Sequence, residues 1–362
     1  MRKISIIINF LKWLKKVSKA TGKSPIAILS GYCKINKKYS ISKDEYQRYR
    51  FFNSSKDFID TFLPLSIAWK LWEVLNPKKY ACLARDKYIS HCLLDSVNIP
   101  KSELYLYYNP QFASNTNNIA YNYEGVLNII KQKNIKQCVI KVSQDSAHGQ
   151  GVIVCYDITI EGEECKLTRY DGTFVELRSI LENDPLLFES LVKQNSQFSS
   201  FNSSSVNTVR MMTALYPDNS VKLYAAFIKI GRSGSDVDNA GSGGNVDCAI
   251  DITSGRLYNV LEFNSWEDIK SITHHPDSKT QIEGCYIENW EAIVKQVCDY
   301  QARIPQLKVI GWDIAITDDG PIVIEINNWW DTTGQLFINR GWKPEVMDCY
   351  NAWVKHNKII NK

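Results

Sequence analysis

Apolar positions recur at helical spacing from the start of the chain. Ile4, Ile7, Ile8, Leu11 and Leu14 form one stripe, with Lys12, Lys15, Lys16 and Lys19 on other faces, which predicts an amphipathic helix. Ser42 followed by Glu45 is a capping-box pair at a second helix start. Phe58, Phe62, Ile67, Leu71 and Leu75 extend the helical pattern, interrupted at Pro64 and ended before Pro77. Residues 1–80 therefore read as a helical N-terminal region.

The pattern changes from about residue 81. Arg85-Asp86-Lys87 opens a helix, YISHCLLDSV, that stops at Asn98-Ile99-Pro100. ELYLYY, CVIKVS and GVIVCYDI read as strands, with a helix at EGVLNIIKQ and a polar hairpin followed by a short helix near 176–182. Later come strands at PLLFESLV, VNTVRMMTALY, KLYAAFIKIG, VDCAIDI, KVIGWDIAIT and PIVIEINN, with a helix, NWEAIVKQVCDYQARI, before the last pair. Strands and helices mix without strict alternation, so the expected class is α+β. The expected divisions are 1–80, a first α+β lobe over 81–185, and a second over 186–362.

Composition narrows the picture by exclusion. Hydrophobic residues make up 44% and charged residues 23%, ordinary for a globular chain, and a net charge of +4 is too mild for a nucleic-acid coat. The ten cysteines include no C-x-x-C pair, so a zinc ribbon or a dithiol redox motif is not expected. They read as reduced thiols of a cytoplasmic protein. No run is apolar enough to span a bilayer, and the N-terminus, interrupted by Lys12, is a poor secretion signal. Charge is uneven, however: residues 1–38 hold ten Lys/Arg and no acid. A basic amphipathic helix fits an anionic membrane face through residues 1–20, with Phe10 and Trp13 at the headgroup boundary. The same stripe fits a helix docked on the protein's own core with a solvated basic face, which is the commoner arrangement.

Phosphate-loop, nucleophile-elbow and zincin motifs are absent, and Gly149-Gln150-Gly151 joins two strands instead of opening a helix. Lys141 lies within the strand CVIKV, facing the same way as Val139 and Ser143, with a glycine-containing loop after it. An anionic ligand explains such a lysine, and so does an edge strand facing water. GWDIAITDDGPIVIEINN is the richest segment. A three-residue loop, Asp318-Asp319-Gly320, would set Thr317 opposite Pro321 and Asp313 opposite Glu325, with Asn327 on the same face. Ile314, Ile316, Ile322, Ile324 and Ile326 would then face the core. Carboxylates placed opposite one another call for a cation between them, and hard oxygen ligands suit Mg²⁺.

The Asp-Lys helix start, the strand lysine, the glycine loop and the late Asp with Glu-x-Asn resemble the ATP-grasp superfamily. SSVNTVRMMTAL, IGRSGSDVDNAGSGG, HHPDSKTQIEG and GWDIAITDDGPIVIEINN resemble, more narrowly, its sugar-transfer-associated family. The resemblance implies two α+β lobes clamping ATP. Carried over, it puts Lys87 and Lys141 on ATP phosphates under a loop through His148, Gly149 and Gly151. Glu189 and Leu191 fall at the adenine hinge, with Lys193 or Gln194 near the ribose. Arg210 would bind phosphate or acyl-phosphate, Arg232 and Asn239 would frame the acceptor site, and Asp313, Glu325 and Asn327 would hold Mg²⁺. His275 reads as a substrate contact or as part of a surface turn. After Asn327 come Asn328-Trp329-Trp330-Asp331, bulky where the family pattern has small residues; tryptophans there would narrow the acceptor pocket or stack on a sugar.

The activity this resemblance implies is ATP-dependent ligation of a carboxylate to an amine through an acyl-phosphate, with ATP and Mg²⁺ as cofactors. The family's association with polysaccharide genes suggests a hexuronic acid carboxylate and an amino acid or other amine. A sugar phosphotransferase and a non-catalytic nucleotide-binding subunit remain open alternatives. Lys141→Ala and Arg210→Ala are expected to lose phosphoryl transfer and stay folded, on the expectation that both cations are surface groups.

Overall fold

The computed structural model describes residues 2–116, 118–144, 151–235, 238, 244–265, 268–329 and 332–360. The N-terminal region is helical: α1 (Arg2–Thr21), α2 (Pro25–Tyr39), α3 (Lys43–Arg48), α4 (Lys56–Thr61) and α5 (Leu65–Leu75). Serines start three of these helices. Ser24 and Ser55 accept from Ala27 N and Phe58 N, and Ser42 forms a reciprocal capping box with Glu45. Trp13, Leu14 and Val17 of α1 pack into an aromatic core with Ile28, Tyr46 and Phe58. The apolar stripe of α1 is thereby divided: Leu14 is buried, whereas Ile7 and Leu11 are 60% and 57% exposed. Trp13 is not a boundary residue. It is 7% exposed and lies edge-on to Tyr32 at 5.3 Å, because the neighbouring helices offer it an aromatic pocket.

The middle of the chain runs α6 (Cys82–Arg85), α7 (Lys87–Ser96), β1 (Leu104–Tyr108), β2 (Ile119–Ala120), α8 (Tyr123–Gln132), β3 (Cys138–Val142), β4 (Ile153–Cys155), β5 (Asp157–Glu161), β6 (Glu164–Thr168), β7 (Phe174–Glu176), α9 (Leu177–Ile180), β8 (Leu186–Glu189) and α10 (Ser196–Phe201). Five strands form one sheet, in the order β2-β1-β8-β3-β4, and β5-β6-β7 form a separate three-stranded sheet. GVIVCYDI is thus two strands, parted at Tyr156. Val126, Ile129 and Ile130 of α8 cover the five-stranded sheet at Leu106, Ile140 and Phe188. Because β3 lies between β8 and β4, Lys141 is not on an edge strand. The first sheet also includes β8, which pairs with both β1 and β3 and ends at Glu189.

The remainder forms β9 (Thr208–Leu215), β10 (Val221–Ile230), β11 (Val246–Ile250), β12 (Leu257–Phe263), β13 (Ile269–Ser271), α11 (Trp290–Ala302), β14 (Val309–Thr317), β15 (Gly320–Asn327), α12 (Gly334–Phe337) and α13 (Lys343–Ile360). Its antiparallel sheet has the order β13-β12-β11-β10-β9-β14-β15. Ile293 and Val297 of α11 pack on one face with Met211, Ile310 and Trp312. The other face meets Phe337 and Trp342, and also Leu71 and Trp72 of α5. The buried Asn76 ties α5 down further, donating to Val309 O at 2.7 Å and Asn328 O at 2.6 Å. The end of the N-terminal region therefore belongs to the second lobe's core.

The β14–β15 hairpin reaches the expected pairing by another route. Its turn has two residues, since Thr317 pairs with Gly320 and Ile316 with Pro321. A bulge between Asp313 and Ile314 on the ladder then shifts the register, so that Asp313 pairs with Glu325. The bulge also reassigns the apolar residues of β15. Pro321, Val323 and Ile326 are buried, and Ile322 and Ile324, expected in the core, are half-buried.

Candidate active site

Three ion pairs link the two main sheets and α7. The first is centred on Glu189, which ends β8 and is 2% exposed. Its carboxylate accepts from Lys141 Nζ at 2.8 Å, Ser102 Oγ at 2.9 Å and His91 Nε2 at 2.9 Å. Burial alone would raise its pKa, but the Lys141 charge and the His91 hydrogen bond overcome that and hold it well below the usual carboxylate range. His91 Nδ1 is buried without a hydrogen-bond partner. The expected adenine-hinge acid is thus the anchor of the expected phosphate lysine.

The second pair joins neighbouring strands of the large sheet. Arg210 on β9 is the ladder partner of Asp313 on β14. Its Nε and Nη2 donate to the two Asp313 oxygens at 2.7 and 2.8 Å, a bidentate fork. Lys229 Nζ from β10 adds a contact at 3.1 Å. Burial opposes ionisation of Asp313, and Arg210 and Lys229 together outweigh it, so its pKa lies well below the usual range. Asn327 Nδ2 donates to Asp313 Oδ2 at 3.3 Å and to Gly311 O at 3.2 Å. Arg210 and Lys141 are half-buried, with side chains 16% and 13% exposed, and each is paired with a buried carboxylate, so neither is the surface group that the expectation of an intact fold after truncation assumed.

The third pair is Lys87 with Glu325, at 3.2 Å. It spans from the first turn of α7 to β15. Asp86 caps α7 by accepting from Tyr88 N and Ile89 N, and it also takes Ser143 Oγ at 3.1 Å and Gln144 Nε2 at 2.7 Å. The cap therefore fixes Lys87 beside the strand that carries Lys141. Lys87, His91, Glu189 and Glu325 line one pocket between α7 and β15.

The expected site residues thus divide. Lys87, Lys141, Glu189, Arg210, Asp313, Glu325 and Asn327 lie along this seam. Leu191 follows β8 and is half-buried. Gly151 stands before β4 with φ of +74°, where a Cβ would come within 2.8 Å of Val142, so only glycine fits this approach to β3. Arg232 is held elsewhere, in a fork on Asp277 at 2.7 and 2.8 Å and against Glu262 at 3.1 Å. Gln194 is buried and serves the backbone of Asn202 and Ser205, and Lys193 is exposed. His275 is no surface turn: it is 1% exposed, with Nε2 donating to Gly231 O at 2.9 Å. His148, Gly149, Asn239 and Trp330 lie outside the described residues.

Sequence reasoning missed Lys229, Asp238 and Asp247. All three are buried; Lys229 and Asp247 sit in apolar strands, the signal that singled out Lys141, whereas Asp238 lies in the polar segment between β10 and β11, which carries no such signal. Asp238 accepts from Thr208 N and Oγ1 and lies 3.9 Å from Lys229. Among the described residues no three His, Cys, Asp or Glu side chains form a ready metal ligand set. A cation here would use Asp313, Glu325 and the Asn327 amide oxygen, since the Asn327 nitrogen is already spent. This all-oxygen donor set fits Mg²⁺.

No curated protein sequence matches the chain. Among solved structures it resembles the ATP-grasp ligase PsnB complexed with minimal precursor, at 15% identity and TM-score 0.38 over 77% of this chain and 63% of that one. It also resembles a D-alanine–D-alanine ligase from Bacillus anthracis, at 14% identity and TM-score 0.41 over 81% and 76% of the two chains. A third is N5-carboxyaminoimidazole ribonucleotide synthetase from Thermotoga maritima, at 11% identity and TM-score 0.40 over 79% and 55%. The chain spans less than two thirds of PsnB and of the synthetase. By sequence, the profile of the family described as sugar-transfer associated ATP-grasp matches residues 67–349, from α5 to α13 and across every residue of the seam. The chain belongs to the sugar-transfer associated ATP-grasp family.

Proposed function

We propose that this chain is an ATP-dependent carboxylate–amine ligase. The observation that carries the reading is the seam itself: Lys87, Lys141 and Arg210, three cations from three elements, each held ready by a carboxylate partner. Triphosphate oxygens would serve as new partners for Lys87 and Lys141, while the buried Glu189 carboxylate would keep its hydrogen bonds from His91 and Ser102. In the reaction, a substrate carboxylate oxygen attacks the γ-phosphorus and ADP departs. The amine nitrogen then attacks the acyl carbon, phosphate departs, and the nitrogen loses its proton. Neither step needs a protein nucleophile. The chain's part is to align the reactants and neutralise charge on the transferring group. Mg²⁺ held by Asp313, Glu325 and Asn327 would add further charge neutralisation.

The carboxylate substrate is a hexuronic acid of a surface polysaccharide or its precursor, and the amine is an amino acid or a related compound. Family membership supports this reading, and so does an aromatic group at the end of β15. Trp329 stands two residues beyond Asn327, edge-on to the half-exposed Trp69 at 5.1 Å, with Arg85 over its ring at 5.1 Å. Aromatic faces beside a guanidinium suit a sugar ring that bears a carboxylate. ADP release across a matrix of uronic acids and amines, with hydroxylamine trapping and product mass, tests the proposal. The expected result is a hydroxamate in the trap and an amide without it. ADP formation coupled only to a phosphosugar would replace the ligase with a kinase.

Location belongs to the same proposal. No described helix is long and apolar enough to cross a membrane. With α1 docked through Trp13, Leu14 and Val17, the exposed Ile7, Ile8 and Leu11 lie beside the lysines of the same helix. That face suits the anionic cytoplasmic surface of a membrane, where lipid-linked sugars are found.

A further inference from the structure

Asp247 is the least explained polar group in the described structure. It sits on β11 with no exposure, and neither carboxylate oxygen has a hydrogen-bond partner. A buried polar group normally has one, because desolvation without a partner is unfavourable. Its ladder neighbours are Lys229 on β10 and Leu261 on β12, and the leucine offers no donor. Lys229 points its ammonium at Asp313, 3.1 Å away, instead of at Asp247. Asp238, the other acid near Lys229, is already engaged by Thr208 N and Oγ1.

This arrangement acquires a purpose on the reading that Asp313 is a cation ligand, and the inference rests on that reading. In the described state Asp313 already carries two cationic partners. A divalent ion on the same carboxylate would add a third positive centre within a few ångströms, in a site shielded from water. Arg210 is pinned by its two-pronged fork and by the β9–β14 ladder. Lys229 has a single point charge on a flexible stem, so it is the partner that yields. We propose that Lys229 is a two-position lysine: it neutralises Asp313 until the divalent cation arrives, and it then swings to Asp247, whose empty carboxyl is its receiving site. Burial pushes the Asp247 carboxyl well above its ordinary pKa, and the Lys229 charge opposes that shift, so the two groups already sense one another. Asp247 acts through Lys229 and is a positioning residue.

Crystals of the full chain grown with Mn²⁺ and ADP, and without them, test this directly. Anomalous scattering from Mn²⁺ locates the ion independently of the lysine. The expected result is Mn²⁺ on Asp313, with Lys229 Nζ hydrogen-bonded to Asp247 and released from Asp313. Mn²⁺ on Asp313 with Lys229 still in contact would overturn the swing and leave the metal reading intact. Absence of Mn²⁺ from Asp313 would overturn both. Two variants, Asp247→Asn and Asp247→Leu, add a solution readout by Mn²⁺ electron paramagnetic resonance in the presence of ADP. Losing a hydrogen bond to a charged group should weaken Mn²⁺ affinity roughly tenfold. The ligand-free melting temperature should hold or rise, because Asp247 has no partner there to lose. Unchanged Mn²⁺ affinity, or a melting temperature that falls in both variants, would overturn the proposal.

Discussion

Arg210→Ala is the sharpest test of how the seam is built. The substitution removes two hydrogen bonds, at 2.7 and 2.8 Å, from an Asp313 whose side chain is 5% exposed. Breaking a buried pair from one side destabilises by about 3–5 kcal/mol, because the remaining charge stays buried. Lys229 still reaches Asp313 at 3.1 Å, which places the expected loss at the lower end, about 3 kcal/mol, a hundredfold or more in the folding equilibrium. Adding Asp313→Asn removes the stranded charge. The double variant should therefore recover at least about 1 kcal/mol relative to additivity, as expected for groups in direct contact. Urea unfolding followed by tryptophan fluorescence measures all four corners of the cycle. The pH dependence has a definite sign. Asp313 is held below its ordinary pKa, so the pair's contribution is complete above about pH 4 and is lost as the carboxylate protonates in stronger acid. Arg210→Ala unfolding at the wild-type urea concentration at neutral pH, or additive single losses, would refute the buried-pair argument.

Two further outcomes follow from the same structure. Glu189→Gln should be less stable than wild type at neutral pH, because Lys141 and His91 lose their shared anion; the gap should narrow as pH falls below about 4, where the unfolded wild-type chain takes up a proton that the folded carboxylate accepts only in stronger acid, and parallel stability–pH curves would refute this. At the membrane face, wild-type protein should co-sediment with anionic vesicles at low salt and release as salt rises, and Ile7→Asp with Leu11→Asp should weaken binding by about tenfold or more, whereas indifference of the wild type to anionic vesicles would refute the surface role of α1.

Much of this protein is determined by local pattern. Helix starts at Ser42 and Asp86 were legible because a capping side chain bonds within its own turn, and strand identity at CVIKV and GWDIAIT because side chains alternate at period two. Alternation also placed Asp313 and Glu325 opposite one another, although the turn has two residues and a bulge restores the register. Tertiary structure decided the rest. Nothing near Arg210 in sequence says that β9 lies beside β14, since the sheet order skips from β10 through β9 to β14 and brings together residues 103 positions apart. That crossover converts an isolated strand arginine into the partner of a buried carboxylate, and it brings Lys229 of the next strand within 3.1 Å of Asp313. The division of the α1 stripe is of the same kind: periodicity marks which residues share a helical face, but only the aromatic pocket of the neighbouring helices selects Trp13 and Val17 for burial and leaves Ile7 and Leu11 to solvent. Burial and charge pairing are properties of what packs against a residue, and for this site those partners arrive from distant parts of the chain.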